Sequence, residues 1–235
     1  MTMPNAVAKR MAGLVARYGL VDGAGDQLAA LLEALADDEH APTTVREPHD
    51  AAGVHIADSL AGLELEVVRE ARAIADLGAG AGFPGLALAA ALPNAHVTLV
   101  ESIARKCVFI SAAAASAGIE NVEVVAERAE DWPAGIDRHD VITARALAPL
   151  GVLAEYAAPL LREGGALVAW KGRRDAEEER VAAGAAEQLG LQLETVLAVF
   201  PYDGADHRHL HVLRKIAPTP ERFPRRPGMA RKRPL

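Results

Sequence analysis

A chain of 235 residues with 51% apolar content is long enough to bury one sizeable core, in one domain or two. Its single cysteine, Cys107, excludes an internal disulfide framework and a thiolate-rich zinc or iron–sulfur site, and fits a reducing, cytoplasmic compartment. The net charge of −7 is unevenly spread: residues 208–235 hold nine Lys or Arg against one acid, Glu221, which puts +8 on this segment and −15 on the rest. That asymmetry suggests an acidic body with a basic arm for a polyanion, while composition alone leaves a solvated, disordered tail equally open.

Met1 to Met11 carry Lys9 and Arg10 with no apolar run behind them, so this stretch does not read as a secretory signal. The first seventy residues read as helical, with apolar positions at Val7, Met11, Leu14, Val15 and Tyr18, then at Leu28, Leu31, Leu32 and Leu35; Asp22 and Asp26 are the candidate N-caps of the second run. From Ala73 the texture changes to short β-rich runs separated by helical stretches: Ala73 to Leu77, His96 to Val100, Val122 to Val125, Asp140 to Thr143 and Ala166 to Trp170. This is the pattern of a parallel sheet wound with helices. Leu191 to Phe200 and His209 to Arg214 have no helical pattern between them and read as an antiparallel pair closing the sheet edge. The expected organisation is a helical extension over residues 1–70, the α/β domain over 71–216 and a Pro/Arg-rich tail over 217–235. Leu77 to Val100 is free of formal charge, but its four glycines, two prolines, Asn94 and His96 fit a loop, a helix and a strand rather than a membrane span.

Parallel α/β sheets bind ligands beyond the carboxyl ends of their strands. The first strand runs into Asp76-Leu77-Gly78-Ala79-Gly80-Ala81-Gly82-Phe83-Pro84-Gly85, where glycine lets a ligand approach the backbone closely and permits a tight turn. Glu101 ends the second strand, placed to accept hydrogen bonds from two ribose hydroxyls. Loop and acid together describe an adenosine-bearing cofactor, yet Gly80-x-Gly82-x-x-Gly85 also satisfies the dinucleotide fingerprint of a dehydrogenase. Asp76 before the loop, Ala129-Glu130-Asp131-Trp132 after the third strand and the antiparallel sheet end favour S-adenosylmethionine. Backbone around Gly78 and Gly80 would face its methionine portion, and the Ala129-Glu130 segment its adenine edge.

The chain resembles the glucose-inhibited-division-B (RsmG) family, which methylates guanine N7 in a loop of 16S ribosomal RNA. The resemblance rests on the glycine loop from Asp76 to Gly85, on Ala144-Arg145-Ala146, Lys171-Gly172 and Arg208-His209-Leu210, and on Ala217-Pro218-Thr219-Pro220 with Pro224-Arg225-Arg226-Pro227-Gly228. Upstream, His55-Ile56-Ala57-Asp58-Ser59-Leu60 resembles the family's His-x-x-Asp-Ser-Leu signature, Thr43 to Arg46 matches only partly, and the first forty residues match poorly. The resemblance implies a class I S-adenosylmethionine methyltransferase sheet, Rossmann-like, with helices on both faces. It also implies that Gly78, Phe83, Glu101, Ser102, Ala129, Glu130 and Arg145 hold the cofactor.

Guanine N7 offers a lone pair and has no proton to lose, so its methylation calls for alignment with the sulfonium methyl rather than a general base. Cys107 lies in the helix after the second strand and reads as core, not as the nucleophile of a pyrimidine C5 reaction. The Asn/Asp-Pro-Pro-aromatic clamp of amine methylation is absent from Ala144 to Pro149. Arg145 can donate hydrogen bonds but cannot act as a base, and with Lys171 it would orient substrate; Arg128 would add a third cation to the rim. Because A-form RNA hides N7 in a deep groove, the target should lie in a loop or an opened segment of 16S rRNA or the small subunit. Arg128, Lys171, Arg208, Arg225 and Arg226 are the expected RNA contacts. His207, His209 and His211 beside Asp203 and Asp206 are read as packing or RNA-facing groups, with no metal, and a monomer with no membrane partner is expected. Alternatives are an S-adenosylmethionine methyltransferase with a small-molecule acceptor and a non-catalytic binding module.

Overall fold

The computed structural model describes residues 5–235; the first four residues of the N-terminal segment lie outside them. Helices α1 (Asn5–Tyr18) and α2 (Ala24–Asp37) lead into a chain of short turns: α3 (Pro48–Ala51), a π-helical turn (Ala52–Ala57), α4 (Asp58–Leu60), a 3-10 turn (Ala61–Glu64) and α5 (Glu66–Arg69). The apolar stripe read from the sequence is buried through Val7, Met11, Leu14, Tyr18, Leu28, Leu31, Leu32 and Leu35. The cap of α2 differs from the expectation. Gly23, left-handed at φ 86°, enters the helix with no side-chain cap, and Asp26 lies in the first turn. The left-handed entry that glycine permits takes the place of an Asp22 or Asp26 side chain.

The remainder alternates β1 (Ala73–Leu77), α6 (Gly85–Ala91), β2 (His96–Val100), α7 (Ala104–Ser116), β3 (Val122–Val125), β4 (His139–Arg145), α8 (Leu150–Ala157), β5 (Leu161–Lys171), α9 (Ala176–Leu189), β6 (Leu191–Val199) and β7 (Arg208–Lys215), with a terminal α10 (Met229–Lys232). These strands form one seven-stranded sheet in the order β3-β2-β1-β4-β5-β7-β6. Strands β1 to β5 run parallel, and β7 is antiparallel to both β5 and β6. The strand order reverses between β1 and β4, the place where such sheets bind ligands. The first three strands match the sequence reading end for end, whereas β4 and β5 are longer than expected. The extra residues at the start of β5 are Leu161-Arg162-Glu163-Gly164-Gly165, whose polar and glycine content reads as a turn.

Alternate residues of each strand feed two cores. On one face Ile74, Val97, Leu99, Val141, Val168 and Leu210 pack with α1, α2, α6 and α7; on the other Ala75, Leu77, Ile142, Ala144, Leu167 and Leu213 pack with α8 and α9. The N-terminal helices are therefore part of the first core. The C-terminal segment belongs to the second, since Phe223 and Ala230 are buried there and Thr219 Oγ1 bonds the carbonyls of Ala158 and Leu189. Among the described residues no helix is long and apolar enough to cross a membrane, and the uncharged stretch 77–100 is divided into loop, α6 and β2.

Candidate functional site

The loop after β1 is fixed from below by Asp76. Its buried carboxylate accepts the Gly85 amide at 2.9 Å and the Thr143 hydroxyl at 2.9 Å, and burial pushes its pKa up to about 6. Gly78, Gly80 and Gly82 all have positive φ, and a Cβ at Gly78 would stand 2.6 Å from Leu147 Cδ1, forcing that side chain to move. Glu101, buried at the end of β2, accepts the amides of Gly80 (3.1 Å) and Ile103 (2.9 Å), with Lys106 Nζ 3.7 Å away. Two amides leave acceptor capacity on this carboxylate.

Above them lies a cavity of about 440 Å³ lined by Gly78, Glu101, Ser102, Lys106, Arg128, Ala129, Glu130, Ala146, Leu147, Tyr156, Gly228 and Arg231. It brings together Gly78, Glu101, Ser102, Ala129 and Glu130 from the expected cofactor set. Gly80 touches it through its hydrogen bond to Glu101. Phe83 is buried in the first core and stacks on His55, with ring centroids 5.0 Å apart. The Glu130 carboxylate faces the tail, accepting the Gly228 amide at 3.0 Å.

Arg145 departs from that set. Its Nη1 bonds Val54 O and Asp58 Oδ2, each at 2.9 Å, and its Nη2 lies 3.4 Å from His55 Nδ1, so the guanidinium belongs to a second cavity of about 450 Å³. The reason is electrostatic: the buried Asp58 carboxylate draws the guanidinium, and the i, i+3 spacing of His55 and Asp58 presents both to it. His55 is held neutral, its pKa lowered to about 4 by burial and then by Arg145; its Nε2 lies 3.0 Å from Val45 O, an acceptor only, so that nitrogen carries the proton and Nδ1 is free to accept from Arg145. Arg208 Nε faces Asp58 Oδ1 at 3.2 Å without hydrogen-bond alignment. Lys171 Nζ reaches Glu178 Oε1 at 2.6 Å on the same rim. Ala146 borders both cavities and is one of two non-glycine residues with positive φ, 54°, among the described residues. Such a conformation is costly for a residue with a Cβ and is kept where the surroundings demand it.

Of the other expected RNA contacts, Arg128 is exposed on the rim of the first cavity and Arg226 is exposed on the tail. Arg225 is turned inward, its Nε 2.6 Å from the buried carboxylate of Glu155, because that acid has no other counter-ion among the described residues. The expectation of a phosphate contact there conflicts with a guanidinium already committed to an ion pair. The three histidines are engaged separately, His207 with Arg173, His209 with Gly172 O and His211 with Glu179. Cys107 is buried under Glu101 with its thiol pKa raised by burial. Sequence reasoning missed Lys106, Leu147, Tyr156 and Arg231 as cavity walls. It quoted His55 and Asp58 without giving them a role, although their helical spacing was the signal.

Comparison with known proteins adds a family. The GidB model, described as rRNA small subunit methyltransferase G, matches residues 26–209. Ribosomal RNA small subunit methyltransferase G of Symbiobacterium thermophilum is 40% identical over 201 residues, 82% of each chain. The protein of the same name from Rubrobacter xylanophilus is 43% identical over 196 residues, 81% of this chain and 75% of that one, and the one from Deinococcus deserti 40% over 216, 89% and 88%. Among solved structures, the fold is similar to Aeropyrum pernix fibrillarin with natively bound S-adenosyl-L-methionine (TM-score 0.53, 18% identity, 67% and 72% of the two chains) and to a SAM-dependent O-methyltransferase of Thermotoga maritima (0.55, 16%, 81% and 73%).

Proposed function

The chain belongs to the GidB family of rRNA small subunit methyltransferase G, and from that premise we propose that it transfers the methyl group of S-adenosylmethionine to guanine N7 in a loop of 16S ribosomal RNA. The observation that carries this reading is the pair of cavities meeting at Ala146: one has the shape and acceptors for an adenosine cofactor, and the other is ringed by cations. The first cavity fits the cofactor in size, at about 440 Å³, and in chemistry. Glu101 offers a buried carboxylate for the ribose hydroxyls, the 129–130 backbone offers groups for the adenine edge, and the glycine loop presents Gly78 to the cavity beside Leu147. S-adenosylmethionine bound there supplies an electrophilic sulfonium methyl.

The remaining work falls to orientation. Ala146, at the junction, is where the acceptor nitrogen must meet the methyl group. Arg145, Lys171 and Arg208 present donors to an acceptor-rich base edge and its phosphates, and none of them can remove a proton at neutral pH, which suits an atom with none to lose. His55 and Asp58 hold the Arg145 guanidinium in place. We place the reaction in the cytosol and expect a monomer with no metal. Small ribosomal subunits from a strain lacking the gene, incubated with the protein and labelled S-adenosylmethionine, should gain one N7-methylated loop guanine. Methylation of another base or of a small molecule would overturn the target, and neither transfer nor cofactor binding would overturn the reading as a whole.

A further inference from the structure

We propose that the C-terminal segment closes the adenine end of the cofactor cavity: Gly228, where the chain turns into α10, stands at the edge that carries the exocyclic amine and limits what that amine can bear. The family match ends at residue 209, before this segment. Gly228, left-handed at φ 78°, lines the cavity, and its amide donates to Glu130 Oε1 at 3.0 Å. The segment therefore meets the cavity at residues 129–130, where the adenine edge belongs. One bond leaves the Glu130 carboxylate lone pairs for an amine N–H. An adenine whose amine reached that carboxylate would have the Gly228 backbone as its next neighbour.

The segment is anchored on both sides of Gly228. Phe223 and Ala230 are buried in the second core, α10 packs on α8, and Leu235 is half-buried against the same core. Arg225 ties the stretch together, its Nε on Glu155 Oε1 at 2.6 Å and its Nη2 on Arg233 O at 2.9 Å. Arg231 has an exposed side chain and acts as a fastening: its Nη2 donates to Leu147 O at 2.9 Å. The Tyr156 phenol, another wall of the cavity, lies beside both Arg231 and Glu130. These anchors leave the Gly228 backbone little room to retreat, so a bulky group added to the amine meets a clash instead of solvent.

The inference rests on S-adenosylmethionine being the cofactor, with its adenine at residues 129–130. The test is isothermal titration of S-adenosylhomocysteine and its N6-benzyl derivative against the full chain, a chain ending at Pro227, and full-length Arg231→Ala. The full chain should bind the benzyl derivative about tenfold or more weakly than the parent compound. The shortened chain should bring the two within about threefold, and Arg231→Ala should fall between. A full chain that takes both ligands equally would overturn the inference. Discrimination that survives the shortening would put the limit on Glu130 itself and overturn it as well. Should the shortened chain fail to melt cooperatively, Arg231→Ala decides: it changes only an exposed side chain, and discrimination equal to that of the full chain would overturn the inference. A full chain that binds neither ligand would overturn the cofactor reading itself.

Discussion

Glu101 is placed so that one side chain could serve both loop and ligand. Its carboxylate already holds the Gly80 amide of the glycine loop and the Ile103 amide after β2, so a ribose placed there would meet an acceptor that needs no rearrangement. Glu101→Ala is expected to weaken cofactor binding by about 1.5–3 kcal/mol, measured by titration; an unchanged affinity would remove Glu101 from the ribose. Asp76 makes a different prediction. Its folded pKa of about 6 lies above the ordinary 3.8, so the native state holds the proton more tightly than the unfolded one. Its ionisation therefore costs stability above pH 6, a cost relieved as pH falls from about 6 toward 4 and on the order of 3 kcal/mol at most. His55 acts in the opposite sense: lowered to about 4, it disfavours the fold as pH falls from 6.5 toward 4, because the unfolded chain takes up the proton first. The two offset each other in the wild type, so the Asp76 effect must be read from a variant. Asp76→Asn keeps an acceptor for Gly85 and loses the titration. Urea melts at pH 5 and pH 7 should show wild type gaining on the variant at the lower pH, and parallel behaviour would refute the assignment.

At the scale of elements, the C-terminal segment is held by burial as well as by charge. Phe223→Ala should cost about 3 kcal/mol or more of unfolding free energy, because the ring is 7% exposed in the second core, and it should also weaken cofactor binding by loosening Gly228 and Arg231. A variant that loses stability yet binds cofactor normally would separate the segment from the cavity. This is also where the sequence was least legible. Strand runs such as Ile74 to Leu77 and Val97 to Val100 declare themselves because parallel strands buried on both faces are mostly apolar, broken here only by Asp76 and Thr98, and the glycine loop and Glu101 follow from their ends. The tail's few buried residues are outnumbered by arginines, so composition described its solvent side and hid its anchors. Arg145 was legible as a residue at a strand end, but its orientation was not. That depends on Asp58, 87 residues away, which no local pattern could have paired with it.

The whole molecule carries −7, with +8 on residues 208–235, and the fold decides how much of that positive charge is available to RNA. Arg225 is neutralised by Glu155, Arg214 by Glu194 and Lys215 by Asp137 with two carbonyls, so a count of tail cations overstates the free ones. Arg226, Lys232 and Arg233 are exposed and have no ion pair among the described residues. They lie on the segment that walls the cofactor cavity, which would place phosphates near the methyl donor while the acidic body repels RNA elsewhere. Each phosphate contact contributes about 0.7–0.9 to the slope of log affinity against log salt, so changing Arg226, Lys232 and Arg233 together to Ala should make that slope shallower by about 2–3. Arg225→Ala should leave it unchanged and lower thermal stability, since it strands the buried carboxylate of Glu155. Titrating a fluorescent 16S rRNA loop fragment over a salt series reads both variants. A triple variant with the wild-type slope would mean that the basic tail serves packing alone and that the RNA is held by Arg128, Lys171 and Arg208 at the cavity rims.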